Sequence, residues 1–230
     1  MFPIKDTVQS RSVPVVTYML ILLNSLVFLY EVTLPPGRLE QLIAMFGLIP
    51  ARLAEEPAAF PTMLTCMFLH GGWMHIIGNM WMLFVFGENV EDRLGPGRYF
   101  LFYLLCGLAA GMTHCFLSRV STVPTIGASG AIAGVLGAYF VLFPMARILT
   151  LVPIFIIPLF FEIPSVVFIG IWFVAQLWNG TLSLAGTQSH EGVAWWAHVG
   201  GFVAGMALLP LFKKSPGQYR HFYADEYWPW

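Results

Sequence analysis

The stretch Gly127-Ala128-Ser129-Gly130-Ala131-Ile132-Ala133-Gly134-Val135-Leu136-Gly137 carries no charge and places one hydroxyl at the mouth of an apolar run. A second apolar run begins around Ala197-His198-Val199-Gly200-Gly201 and carries an imidazole near its start. Polar side chains inside apolar helices usually face a bundle interior or a wet cavity rather than lipid. Each therefore needs a reason to be where it is.

Of the 230 residues, 58% are hydrophobic and 10% are charged. A soluble domain carries roughly 25% charged residues, so this chain lacks the charge to coat a water-facing surface. Composition predicts an all-α, polytopic membrane protein with one compact body. The formal net charge of −1 gives no basic field for nucleic acid. Cys66, Cys106 and Cys115 are odd in number and lack metal-ligand spacing, and they read as small apolar fillers.

Six candidate spans follow from the apolar runs: roughly 14–31, 73–89, 99–117, 129–144, 166–182 and 193–212. Helices are expected because only they satisfy every backbone group within one segment in lipid. Lys5 and Arg11 precede the first span with no small-residue cleavage pattern after it, which favours a retained anchor. With the N-terminus in the cytoplasm, Lys5, Arg11, Arg93, Arg98, Arg147, Lys213, Lys214 and Arg220 lie inside. Only Arg38, Arg52 and Arg119 lie outside. That bias sets both termini in the cytoplasm and an even number of spans.

Residues 148–164 are apolar but broken by Pro153, Pro158 and Pro164, so they are expected to dip into the inner interface. A seven-span alternative conflicts with the charge count. The segment between the first two spans contains Pro35-Pro36-Gly37, Pro50, Pro57 and Pro61 with apolar Leu42, Ile43, Phe46 and Leu48, and is expected on the membrane surface. Three divisions follow: a cytoplasmic segment 1–13, a membrane domain 14–212 and a cytoplasmic tail 213–230, whose Tyr227-Trp228-Pro229-Trp230 suits the headgroup region.

In this topology spans two, four and six run from outside to inside. His75, Ser129 and His198 then fall at similar depth on the outer side, and Asn79 shares a helical face with His75. Gly130, Gly134 and Gly137 stripe span four, and Gly201 and Gly205 form a small-xxx-small pair in span six. A close crossing there would bring the Ser129 hydroxyl to His198, an arrangement in which imidazole takes the serine proton during attack on a carbonyl. Taken singly, each residue has a bland reading: a packed serine, a structural histidine, an interhelical His–Asn clamp, glycines that only pack. Their conjunction at one depth is harder to assign to packing.

Other protease chemistries lack their parts. Lysine occurs only at positions 5, 213 and 214, and aspartate only at 6, 92 and 225, all outside the spans. No His-Glu-x-x-His is present, and His70 with His75 has no Cys or acidic partner nearby for a metal. No acid lies in spans two, four or six except Glu88 near the inner end of span two, so a Ser–His dyad without a third acidic member remains.

At these residues the chain closely resembles the rhomboid family of intramembrane serine proteases. The matching runs are His70-Gly71-Gly72-Trp73-Met74-His75-Ile76-Ile77-Gly78-Asn79, Glu91-Asp92-Arg93-Leu94-Gly95, Gly127-Ala128-Ser129-Gly130 and Ala197-His198-Val199-Gly200-Gly201. The resemblance implies a six-helix bundle in which Ser129 is the nucleophile and His198 the general base. It implies that His75, Asn79 and Gly127, with the Ser129 N–H, form the oxyanion and substrate-binding region, and that His70 orders the first loop and keeps the site hydrated. It further implies that residues 183–191 form a gating loop and that Trp172 and Phe173 face the entering substrate helix. Two positions depart from the family pattern: Ala133 stands where many members carry an aromatic residue against the histidine, and Pro61 where many carry tryptophan.

The expected activity is endoproteolysis of single-span membrane proteins near the outer face of the bilayer, with no cofactor, no metal and no nucleic acid. The alternative is a weak or inactive relative that binds transmembrane clients. The charge bias and compact form suit a bacterial inner membrane.

Overall fold

A computed structural model describes residues 1–154, 157–184 and 193–214. Strand β1 (Phe2–Asp6) leads into helix α1 (Val15–Glu31). Three short helices, α2 (Pro36–Phe46), α3 (Pro50–Glu55) and α4 (Thr62–Thr65), occupy the next segment. Helices α5 (Trp73–Leu94), α6 (Pro96–Leu117) and α7 (Ser129–Leu142) follow, then strands β2 (Arg147–Ile154) and β3 (Ile157–Pro164), then α8 (Ser165–Leu184) and α9 (Trp195–Phe212).

Among the described residues, α6, α8 and α9 are long and apolar enough to cross a membrane. The apolar helices α1 and α7 are shorter, with 17 and 14 residues. Helix α5 has 22 residues, but Glu88, Glu91, Asp92 and Arg93 crowd its last two turns. Large apolar side chains cover the outside, including Tyr18, Met19, Leu22 and Leu26 on α1 and Val167, Ile171, Val174 and Trp178 on α8. An exterior of this kind suits lipid and defines an integral membrane protein.

Helix α7 is the axle of the bundle. Every residue from Gly130 to Tyr139 is buried, and α5, α6 and α9 pack around it. A methyl group added at Gly201 would overlap the Gly130 carbonyl, and one at Gly205 would overlap the backbone of Gly134. The α7 and α9 backbones therefore touch, as the two glycine patterns predict. Lipid tails are as apolar as any side chain, so close van der Waals approach supplies much of what holds membrane helices together.

Buried carboxylates pin the ends. The Glu91 side chain accepts the Val16 N–H at 2.9 Å, the Thr17 N–H at 2.8 Å and the Thr17 hydroxyl at 2.8 Å. It thereby satisfies first-turn donors of α1 that have no intrahelical acceptor. At the other end of α1, Glu31 accepts the His70 N–H at 3.3 and 3.2 Å. Gly95 (φ 82°) closes α5 in the left-handed region, and Pro96 opens α6 where no N–H is needed.

The all-α expectation is corrected by a three-stranded antiparallel sheet in the order β1–β2–β3. Over the stretch 148–164, expected as a broken interfacial dip, β2 and β3 pair in a register that runs from Arg147 opposite Pro164 to Ile154 opposite Ile157. Ile148 and Thr150 are buried while Arg147 is exposed, a period-2 pattern that the prolines obscured. Pro153 faces Pro158 across the hairpin, tolerable because alternate antiparallel pairs exchange no N–H bonds. Strand β1, inside the expected segment 1–13, pairs with β2. Asp6 Oδ2 accepts the Asn89 amide at 2.8 Å and the Tyr139 hydroxyl at 2.5 Å, fastening β1 to α5 and α7. Burial raises the Asp6 carboxyl to about 7, so near neutral pH this fastening rests on hydrogen bonds more than on a full charge.

Candidate active site

Ser129 is the first residue of α7, and its N–H belongs to the helix-terminal set without an intrahelical acceptor. The loop before it is held on two sides. Leu48 and Thr125 exchange backbone hydrogen bonds at 3.0 and 2.8 Å, and the Gly127 N–H donates to the Cys66 carbonyl at 2.8 Å. The Thr125 hydroxyl also meets His114 Nε2 on α6 at 2.9 Å. Gly127 has φ 118°, a conformation that disfavours any side chain.

His198 lies in the first turn of α9, brought to Ser129 by the glycine crossing. Its Nε2 stands 2.7 Å from Ser129 Oγ, hydrogen-bonding distance for proton transfer from hydroxyl to imidazole. Its Nδ1 stands 2.8 Å from Gln176 Oε1 on α8. Gln176 is buried, and its amide nitrogen donates to the Trp172 carbonyl at 3.2 Å. The Trp172 ring flanks the imidazole with centroids 6.1 Å apart and planes at 36°, and Trp195 approaches edge-on at 6.2 Å.

On the other side of Ser129, α5 supplies two donors. The Gly71 N–H donates to His75 Nδ1 at 3.3 Å, which leaves the neutral ring's proton on Nε2. A Cβ at Gly127 would lie 2.6 Å from that Nε2 and 3.5 Å from Asn79 Nδ2. Asn79 Nδ2 is buried and has no hydrogen-bond partner. Two donors therefore border the missing side chain of Gly127, next to the serine. Such unspent capacity suits an oxygen that gains negative charge.

His70 is 2% exposed, and neither of its ring nitrogens has a hydrogen-bond partner. Burial, with His75 second, lowers its pKa to about 4, so the ring is neutral near pH 7. Its ring meets that of His75 edge to face with centroids 5.1 Å apart.

Ser129, His198, His75, Asn79 and Gly127 thus converge, and His70 backs His75. Trp172 and Phe173, expected to face incoming substrate, pack on the α9 side: Trp172 on His198 and Phe202, Phe173 stacked on Phe202 with centroids 4.4 Å apart. Sequence reasoning missed Gln176. An amide in the middle of an apolar span was the available signal. Most of the expected gating loop, residues 185–191, lies outside the described residues, as do Arg220 and the Tyr227–Trp230 tail. No group of three or more metal-ligating side chains occurs among the described residues.

Fold and site define a membrane-embedded helical protein with a serine–histidine pair at its centre. The sequence model of the rhomboid domain matches residues 57–215. The chain belongs to the rhomboid family. It is 31% identical over 161 residues to "RHOMBOID-like protein 1" of Arabidopsis thaliana, covering 70% of this chain and 36% of that protein. It is 33% identical over 153 residues to "Rhomboid protein 1, mitochondrial" of Saccharomyces cerevisiae, covering 64% and 40%. It is 39% identical over 127 residues to "Rhomboid protease GluP" of Bacillus subtilis, covering 54% and 24%. The chain therefore spans well under half the length of these relatives. Their membership places intramembrane proteolysis within the family's range.

Proposed function

We propose that this chain is an intramembrane serine endopeptidase acting on single-span membrane proteins near the end of the bundle that carries Ser129. The observation that carries the reading is the 2.7 Å approach of Ser129 Oγ to His198 Nε2. Ser129 attacks the scissile carbonyl while His198 takes its proton and later returns it to the leaving amine, forming an acyl-enzyme that water then opens. His75, Asn79 and the Ser129 N–H receive the oxyanion, with Gly127 leaving room for it. His70 holds His75 and the first loop in place. The substrate helix unwinds locally at the cut, because helical hydrogen bonds otherwise shield its peptide carbonyls. No metal or cofactor enters the scheme.

In the same reading six helices cross the bilayer and both termini lie on one side, as the Lys and Arg distribution favours. The relatives come from a plant, from yeast mitochondria and from a bacterium, so kinship does not single out a bacterial inner membrane.

The test is purified protein in liposomes with a model single-span substrate and a fluorophosphonate probe. Wild type is expected to cleave and to label. Ser129→Ala and His198→Ala are expected to lose cleavage while remaining folded, and Ser129→Ala to lose the label. Cleavage at the wild-type rate by either purified variant removes the dyad. A folded wild type that binds the substrate but neither cleaves nor labels makes the chain a client-binding relative instead.

A further inference from the structure

We infer that Gln176 is a positioning residue that selects the productive tautomer of His198, the task an acid performs in a three-membered serine-protease site. The inference rests on the Ser–His reading above but makes a claim of its own about one amide on α8.

Donors and acceptors around the ring fix its tautomer. The Trp172 carbonyl only accepts, so the Gln176 nitrogen 3.2 Å away must face it. That fixes the amide, and Oε1 is the atom left 2.8 Å from His198 Nδ1. An amide oxygen only accepts, so Nδ1 must carry the hydrogen. A neutral imidazole has one N–H, and Nε2 is therefore bare where it meets Ser129 Oγ at 2.7 Å. The opposite tautomer would place an unprotonated nitrogen against Oε1, two acceptors facing each other, and an N–H against the hydroxyl that must give up its proton.

Among the described residues, no other group is placed for this task. Ala133 on α7 brings no aromatic ring to the imidazole. Trp172 and Trp195 contact the ring but carry no acceptor for Nδ1. Of the neighbouring histidines, His75 on α5 has its Nδ1 engaged with the Gly71 N–H and His114 on α6 has its Nε2 engaged with Thr125. Gln176 is buried at 6% exposure, so water does not compete for its oxygen. Being neutral, it orients the ring without the charge that a carboxylate would bring into the membrane interior, where an unpaired charge is costly.

Two readouts test this on the full chain in liposomes or detergent. The first is cleavage kinetics of Gln176→Leu, which keeps the bulk and removes the acceptor. It is expected to lower kcat by about 10- to 100-fold, a part of what general-base catalysis contributes, with KM nearly unchanged. Gln176→Glu restores an oxygen facing Nδ1 and is expected to recover most of kcat. The second is nitrogen NMR of 15N-histidine-labelled protein, with the His198 signal assigned by its absence in His198→Ala. Wild type and Gln176→Glu are expected to show the Nδ1-protonated ring, and Gln176→Leu a mixed or reversed tautomer. An unchanged kcat in Gln176→Leu, or a wild-type tautomer in that variant, overturns the inference. So does a Gln176→Glu variant that folds and labels Ser129 no better than Gln176→Leu. The tautomer readout needs no cleavage, so a wild type that fails to cleave sinks the protease reading while leaving this inference judged on the spectrum alone. If Gln176→Leu does not fold, Gln176→Met keeps the side-chain length with only a weak acceptor, and the same outcomes apply.

Discussion

At the scale of single residues, the polar side chains around Ser129 divide into those with a partner and those without. His75 spends Nδ1 on the Gly71 N–H, and Gln176 spends both ends of its amide. Asn79 combines two features: its buried nitrogen has no partner, and it lies beside the serine, 3.5 Å from where a Gly127 side chain would begin. Leaving a buried donor unmade costs about 1–3 kcal/mol, so its retention points to an acceptor that arrives during the reaction. Asn79→Ala is expected to lower kcat by about 10²–10³-fold with little change in KM, the size found for single oxyanion donors. Steady-state cleavage of the model substrate checks it, and an unchanged kcat would take Asn79 out of the site.

At the scale of elements, the serine meets the histidine because two helices touch along glycine. Gly130, Gly134 and Gly137 on α7 face Gly201, Gly205 and the Phe202 carbonyl on α9. A methyl at Gly205 meets backbone, which cannot rotate away, so the helices must separate along their length. Gly205→Ala is expected to cost about 1–3 kcal/mol of stability, the usual penalty of overpacking, and to lower activity as well by pulling His198 from Ser129. Unfolding in detergent followed alongside fluorophosphonate labelling would show both effects. Full stability with full labelling would mean that the crossing is less tight than the backbone contact requires. The glycine stripes were legible in the sequence as close-packing faces. The hairpin of β2 and β3 was not, because its three prolines looked like breaks, and only the pairing partner β1 explains why the run is extended.

At the scale of the whole molecule, the arrangement of helices in the bilayer follows from apolar length and charge bias. Among the described residues, three helices meet the length and apolarity of a span on their own. The others, α1, α5 and α7, are shorter or more polar, and they cross only if neighbours shield them: α7 is almost wholly enclosed, and Glu91 is sequestered against α1. Under the proposed six crossings, Lys5 and Lys214 fall on one side and Arg38 and Arg119 on the other. Cysteines introduced singly at these positions, in a background lacking Cys66, Cys106 and Cys115, are expected to react with an impermeant maleimide from opposite faces of oriented vesicles. Labelling of Lys5→Cys and Lys214→Cys from opposite faces would replace the even count with an odd one.

Membrane class, three of the six candidate spans and five of the converging site residues could be read from the chain because each depends on local composition, on spacing along one helix or on a motif of adjacent residues. Hydropathy accumulates residue by residue, and a glycine stripe is a property of one helix alone. The sheet and the hydrogen bond from His198 to Gln176 belong to the other kind. They depend on which way separate elements turn toward each other, and many packed contacts set that rotation together, so no single segment encodes it. The sequence already showed that Ala133 brings no aromatic ring, and only the tertiary structure decided that an amide on α8 stands behind the imidazole.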